Sequence, residues 1–355
     1  MTSAHVDSST DPAVPAPDTS DETPRTDSSP SRRRGIQLSA FGPRNIGAIY
    51  VWAVLIAIFA LWIPDLFLTS ITFRRVLNEY AITGIAAMSI VLPLAAGVFD
   101  LSIGSTIGLS GITAGWILVH TSLSPAIAVA CALGAGLAVG IFNSLVVVVL
   151  GIDSFIGTLA TGAIVAAVTL GIADSHILTG RTSGPFSELA TANWHGIQLP
   201  VVYLAVLTLV IAFVLERTVF GRFIYASGYN PDITNLVGVS VKKVRIITLI
   251  SSGLIAALAG VALTARIEAA DPSAGPTYLI PAFSAAFLGA TQFRHGRFNS
   301  WGTVVSVLLL GTGSVGLLLT GAPQWAPQVF QGAVLIAAVS LAVVQGRRRV
   351  RRVRA

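Results

Sequence analysis

The amino-acid sequence predicts an all-α integral membrane protein with about ten transmembrane helices and both termini in the cytoplasm. Three observations predict it. The 355 residues are 54% hydrophobic and only 11% charged, with a mean hydropathy of +0.79, too little charged surface to disperse a soluble domain of that size. The apolar residues fall in long runs, and lipid requires every backbone N–H and C=O to be paired within the chain, which leaves helices or closed barrels. Barrel strands would instead alternate strictly over about ten residues. Lys and Arg gather in particular short connections, as they do where cytoplasmic loops retain positive charge.

Residues 1–45 are rich in Ser, Thr, Asp and Pro. Such a segment cannot bury enough apolar surface to offset its ordering entropy, so a disordered cytoplasmic tail is expected. Arg32, Arg33 and Arg34 precede the first apolar run by more than a dozen residues, and no signal cleavage site is evident, so that run is expected to persist as a helix. The transmembrane domain is expected over 46–346. Its runs fall at 49–68, 79–97, 101–119, 125–150, 155–173, 200–216, 245–266, 278–292, 301–319 and 327–345. The short gap around Asp100 fits a broken helix as well as two spans, and the run 278–292 is short and holds Pro281.

Orientation follows from the basic loops. An even number of spans puts both termini on one side, which then receives Arg217, Arg222, Lys242, Lys243 and Arg245 of the 217–245 loop, Arg294 and Arg297, and the C-terminal arginines. Arg74 and Arg75 fall on the other side as the one exception. Residues 347–355 form a basic cytoplasmic tail containing Arg347, Arg348, Arg349, Arg351, Arg352 and Arg354. Next to a final apolar helix this reads as an anchor on anionic headgroups; no nucleic-acid partner is expected. Cys131 is the only cysteine, so no intrachain disulfide can form.

Several chemistries have no foothold. A P-loop needs Gly-Lys-Ser/Thr, yet the only lysines are Lys242 and Lys243 in Val-Lys-Lys-Val. His-Glu-x-x-His, clustered Cys and Gly-x-Ser-x-Gly are likewise missing from the sequence. An enzyme is therefore not expected, nor a cofactor in this chain. Gly134, Gly136 and Gly140, like Gly311, Gly313 and Gly316, read as close helix packing.

Two segments remain. In Gly97-Val98-Phe99-Asp100-Leu101-Ser102-Ile103-Gly104-Ser105 the glycines and hydroxyls suit a helix interruption, and Asp100 either caps free N–H groups or contacts a solute. Glu79, Asp153, Asp174, Glu268 and Asp271 all lie at span ends, so no obvious ionisable group stands near midplane for an ion-coupled carrier. In the 217–245 loop, Pro231-Asp232 can open a short helix and Gly238 can stop it. Such a helix across the membrane face, tied to the next span, is a lever for a partner or a plain amphipathic surface helix.

The string from Gly97 to Ser105 resembles the Gly-hydrophobic-Asp-Leu-Ser-hydrophobic-Gly-Ser signature of ribose, xylose and arabinose type ABC importer permeases. Asp153-Ser154-Phe155-Ile156-Gly157-Thr158-Leu159-Ala160-Thr161 is similar to that family's Pro-Ala-Phe-Ile-Ala-Thr-Leu-Gly-Thr stretch. The segment Gly221–Gly238 resembles its cytoplasmic loop, with Arg222, Ala226, Gly228, Asn230 and Gly238 in register, and Ile255–Gly260, Arg266, Gly275 and Gly302-Thr303 continue the likeness. The resemblance spans about 75–340.

It implies a monosaccharide permease of the plasma (inner) membrane that works as one of a pair, a second copy or a homologous chain. An ABC ATPase subunit carrying ATP and magnesium would sit on the 217–245 loop at Arg222, Ala226, Gly228, Asn230 and Gly238. A separate extracytoplasmic binding protein would deliver the sugar. Asp100, Ser102, Ser105, Phe155, Thr158 and Thr161 become the candidate translocation path. The chain departs from the family at Thr277–Ala286, where Leu279 and Pro281 replace an acidic pair, and at Arg294-His295-Gly296-Arg297-Phe298, which replaces a Gly-rich loop. Those departures bear on the cargo rather than on the fold. The alternatives are an ion-coupled secondary transporter acting alone and a membrane-anchored scaffold.

Overall fold

The computed structural model describes residues 47–293 and 296–354. The expected N-terminal tail, Arg294 and His295 lie outside the described residues. Fourteen helices follow one another there: α1 Gly47–Trp62, α2 Pro64–Phe67, α3 Ser70–Ala95, α4 Ile103–His120, α5 Pro125–Ser144, α6 Ser154–Ile172, α7 Glu188–Thr191, α8 Leu199–Arg217, α9 Val219–Tyr229, α10 Pro231–Leu236, α11 Val241–Ile267, α12 Leu279–Ala290, α13 Ser300–Leu319 and α14 Ala326–Arg354. Four two-residue strands, β1 Leu178–Thr179, β2 Asn193–Trp194, β3 Ile197–Gln198 and β4 Ala269–Ala270, pair antiparallel as β1–β4 and β2–β3.

Each of the ten expected runs falls on a helix, and seven among the described residues are long and apolar enough to cross a membrane: α3, α4, α5 with its π-turn extension to Val149, α6, α8, α11 and α13. Among the described side chains the apolar stretches of α1 and α14 are Ile49–Trp62 and Ala326–Ser340, and the apolar sequence of α14 runs on to Val344. The 12 residues of α12 reach about 18 Å, against a hydrocarbon core of about 30 Å. Pro281 is harmless in α12, because it occupies the first turn, where backbone N–H groups have no intrahelical acceptor.

Side-chain oxygens cap the starts of six helices among the described residues. Thr69 accepts from Thr72 N at 3.1 Å ahead of α3, Asp153 from Phe155 N at 3.0 Å ahead of α6, and Asn230 from Ile233 N at 3.0 Å ahead of α10. Asn299 accepts from Gly302 N at 2.7 Å ahead of α13. Each satisfies a donor that the helix cannot.

The centre of the bundle is α3, in which every residue from Ala81 to Ala95 is buried. Around it α11 packs on α5 and α4 through small residues. Gly136 and Gly140 of α5 lie against the backbone of Gly253, Leu249 and Ile250, and Gly260 of α11 lies against Ile107 and Ser110 of α4. Backbones this close gain dispersion contact where lipid offers no hydrophobic drive for association. Gly134 meets nothing within 4 Å and plays no part in this packing. Apolar side chains such as Leu209 and Phe213 of α8 and Ile164 and Val168 of α6 face outward, as a lipid-facing surface requires.

At the end of the bundle opposite the 217–245 loop, His195 and Gly196 adopt positive φ at the tip of the β2–β3 hairpin, the backbone that tight hairpins need. Arg75, half of the exception to the basic-loop pattern, is paired there with Glu79 at 2.8 Å. Arg74 packs beneath Gly196 of the same hairpin.

Candidate functional site

Between α3 and α4 the chain breaks at residues 96–102, inside the bundle. Gly97 has φ +77°, a backbone that a side chain would oppose, and it turns the chain away from α3. The freed N–H groups are met by hydroxyls of α6: Phe99 N donates to Ser154 Oγ at 3.1 Å and Leu101 N to Thr158 Oγ1 at 2.9 Å. Irregular backbone persists in an apolar setting only when its polar groups are paired in this way.

Asp100 is 1% exposed, the one buried ionisable side chain among the described residues. Its Oδ1 accepts from Ser102 N at 3.1 Å, Ser102 Oγ at 2.6 Å and Asn143 Nδ2 at 3.2 Å. Asn143 Nδ2 also donates to Ser102 Oγ at 2.7 Å. The carboxylate therefore closes the start of α4 and joins it to α5, with no surface left for a solute in this conformation. Of the two expected roles of Asp100, its bonds to Ser102 N and to Asn143 of α5 are those of a buried cap at the chain break.

The remaining path candidates divide. Thr158 is buried, receives Leu101 N and donates to Ser154 O at 2.7 Å, so it belongs to the same knot. Thr161 is buried too, but its hydroxyl turns back to Gly157 O within its own helix at 3.0 Å. Ser105 is half-buried beside Gly162 of α6. Phe155 is half-exposed, and its ring meets Phe99 edge-on at 6.2 Å. Phe99 in turn stacks on Phe287 of α12 at 6.4 Å, beside Phe283 and Phe298, giving a continuous aromatic row.

The 217–245 loop carries two helices where the sequence suggested one. Pro231 opens α10 and Gly238 follows it with φ +85°, as expected. Residues 219–229 also form α9, started by Thr218 accepting from Gly221 N at 3.1 Å. Gly221 and Gly228 read as loop residues, yet each is a packing contact. Gly221 lies on the carbonyls of Val214 and Leu215, and Gly228 lies on the Ala95 carbonyl and on Gly97. Tyr225 Oη donates to Phe298 O at 2.8 Å, and Arg297 lies 5.3 Å above its ring. Arg222 and Ala226 face outward, Asn230 caps α10, and Asn235 Oδ1 accepts from Val241 N at 3.2 Å, fastening α10 to α11.

A cavity of about 460 Å³ opens between this loop and the break, lined by Gly97, Val98, Asp153, Asp232, Lys242 and Arg245 among others. The structure thus brings Asp100, Ser102, Thr158, Gly97 and Gly228 to one end of the bundle and leaves Thr161 outside the cluster. Sequence reasoning missed Asn143 and Ser154. The available signal for Asn143 was a lone amide within an apolar run. Among the described residues no group of three or more His, Cys, Asp or Glu side chains could hold a metal ion.

Residues 72–339 match the family model described as branched-chain amino acid transport system / permease component. The D-allose transport system permease protein of Escherichia coli (strain K12) is 32% identical over 320 residues, 90% of this chain and 97% of that protein. The ribose import permease protein of the same strain is 32% identical over 289 residues, 81% of this chain and 89% of its own length. Its L-arabinose transport system permease protein is 32% identical over 293 residues, covering 82% and 88% respectively. No solved structure matches the chain.

Proposed function

Because the chain belongs to the family of branched-chain amino acid transport system permease components, we propose that it is the membrane-spanning permease subunit of an ATP-binding cassette importer. The cargo is a monosaccharide or related small polar solute, and the site of action is the plasma membrane. The relatives named for D-allose, ribose and L-arabinose, each aligned over most of both chains, support the sugar class. They also favour this reading over an ion-coupled carrier working alone.

In this reading the chain makes ten crossings, with α1, α12 and α14 completing the set of seven full-length helices, and both termini are cytoplasmic. The basic residues Arg217, Arg222, Lys242, Lys243 and Arg245 all fall at the end of the bundle that carries α9 and α10, which the distribution of cytoplasmic charge favours. A partner ATPase subunit supplies ATP and magnesium and seats on the outward face of α9 and α10 at Arg222 and Ala226. A binding protein delivers the sugar at the opposite end, beside the β2–β3 hairpin. A second permease, identical or homologous, completes the path, against which the half-exposed Phe155 and the aromatic row would lie.

The observation that carries the proposal is the seating of Gly228 on Ala95 and Gly97. A force applied to α9 from the cytoplasm reaches the α3–α4 break without an intervening side chain. Co-purification tests the partner assignment: the chain expressed with its cognate ATPase subunit should retain it, and Arg222→Glu together with Ala226→Trp should release it. Retention of the ATPase by the doubly altered loop would remove α9 as the seat.

A further inference from the structure

Between β4 and α12 the chain runs through the bundle without α-helix, with one 3-10 turn at Gly275–Tyr278. Ala270 lies against Gly115 of α4, Pro272 and Gly275 against Gly108, and Gly275 and Pro276 against Gly104. Those contacts descend α4 from Gly115 to Gly104, about 16 Å at the helical rise of about 1.5 Å per residue. The sequence Asp271-Pro272-Ser273-Ala274-Gly275-Pro276 cannot continue α11, because both prolines lack the N–H that a helix needs and glycine weakens it further. The next α-helix therefore starts deep in the bundle, at Leu279, which accounts for the 12 residues of α12.

Irregular backbone at that depth is compatible with protein packing or with water, but not with lipid. One side of the segment is packed on the α4 glycines. The other is open: Ser273, Pro276 and Thr277 are exposed and Asp271 is half-buried. Asp271 Oδ1 accepts from Ser273 N at 2.8 Å and has no ion pair among the described residues, and an unpaired carboxylate below the end of a spanning helix calls for water beside it. Thr277 Oγ1 donates to Ala274 O at 2.6 Å, which leaves its oxygen able to accept, and the Ser273 hydroxyl can both donate and accept. Neutral hydroxyls match the hydroxyls of a sugar and exchange partners without the strong grip that would stall a passing solute.

We propose that the segment Asp271–Thr277 lines the path of the sugar, with Ser273 and Thr277 as the hydrogen-bonding side chains that it meets on the way. The inference rests on the permease reading. It puts the path on the open side of this irregular segment, whereas Asp100 and Ser102 at the α3–α4 break are buried.

Single cysteines test this in the full-length chain assembled with its cognate ATPase and binding protein, on a Cys131→Ala background because Cys131 is exposed. A charged, membrane-impermeant thiosulfonate is applied to right-side-out and to inverted vesicles. The thiolate is the reactive form, so a cysteine in lipid stays inert and one in water reacts. Ser273→Cys and Thr277→Cys should label from at least one side, many-fold faster than Phe213→Cys on the outward face of α8, and labelling should cut sugar uptake several-fold. Labelling with uptake unchanged would overturn the assignment to the path. Inertness of both positions from both sides would overturn it too, placing the segment against another chain. Absence of sugar uptake by the unaltered complex with ATP would instead refute the permease reading, a result separate from the labelling.

Discussion

Gly228 of α9 lies against the carbonyl oxygen of Ala95 at the end of α3, so close that a Cβ atom at position 228 would overlap it. Both groups are backbone, so neither can swing aside. The contact passes displacement of the loop directly into the break that holds Asp100.

Gly228→Ala should therefore separate α9 from α3 without preventing insertion. The expected result is normal membrane abundance with sugar uptake reduced at least about tenfold, equivalent to about 1.4 kcal/mol of lost coupling. Uptake in right-side-out vesicles, normalised to membrane-inserted protein, checks this.

Gly238→Ala makes a separate point. Gly238 has φ +85° and nothing lies within 4 Å of where its Cβ would be, so the penalty is conformational alone, about 1 kcal/mol. A small fall in thermal midpoint is expected with uptake largely kept, in contrast to Gly228→Ala.

Asn143→Leu removes the amide that joins Asp100 to Ser102 across α5. Loss of a buried donor to a carboxylate is expected to destabilise the chain by about 1–3 kcal/mol, read as a lower unfolding midpoint. Thr161→Val is the control from the same motif region: its hydroxyl bonds only Gly157 O, and uptake should stay within about twofold, below the 1.4 kcal/mol that a tenfold change represents.

Asn299→Ala loses more than a helix cap. Asn299 accepts from Gly302 N at 2.7 Å and donates to Gly289 O at 3.1 Å and Arg297 O at 3.0 Å, closing the turn between α12 and α13. About 2 kcal/mol of destabilisation is expected. Asn299→Asp keeps the acceptor and should recover only part of it, as measured by thermal unfolding.

The helices were legible because lipid-compatible runs are long and nearly uncharged, and Pro231 and Gly238 bounded α10 as their backbone preferences demand. The first apolar run came through as α1 and α2, divided before Pro64. What hid α9 was glycine used for contact: Gly221 and Gly228 lower helix propensity but allow the backbone of α9 to meet α8 and α3. The shortness of α12 was already visible in the run 278–292. Asp100 was visible as a break, whereas its partner Asn143 lies 43 residues away in an apolar stretch, and only folding brings them together. Thr161 followed Thr158 into the candidate path through motif spacing, although hydroxyls one turn apart have different partners.

The central claim is that this chain conducts a sugar only when a separate ATPase drives the α9–α10 loop. The most direct measurement is radiolabelled sugar accumulation in proteoliposomes holding the chain alone or with its cognate ATPase and binding protein, with and without ATP. The account predicts accumulation against a gradient only when all the proteins and ATP are present. Sustained accumulation by the chain alone, driven by an imposed sodium or proton gradient, would contradict it.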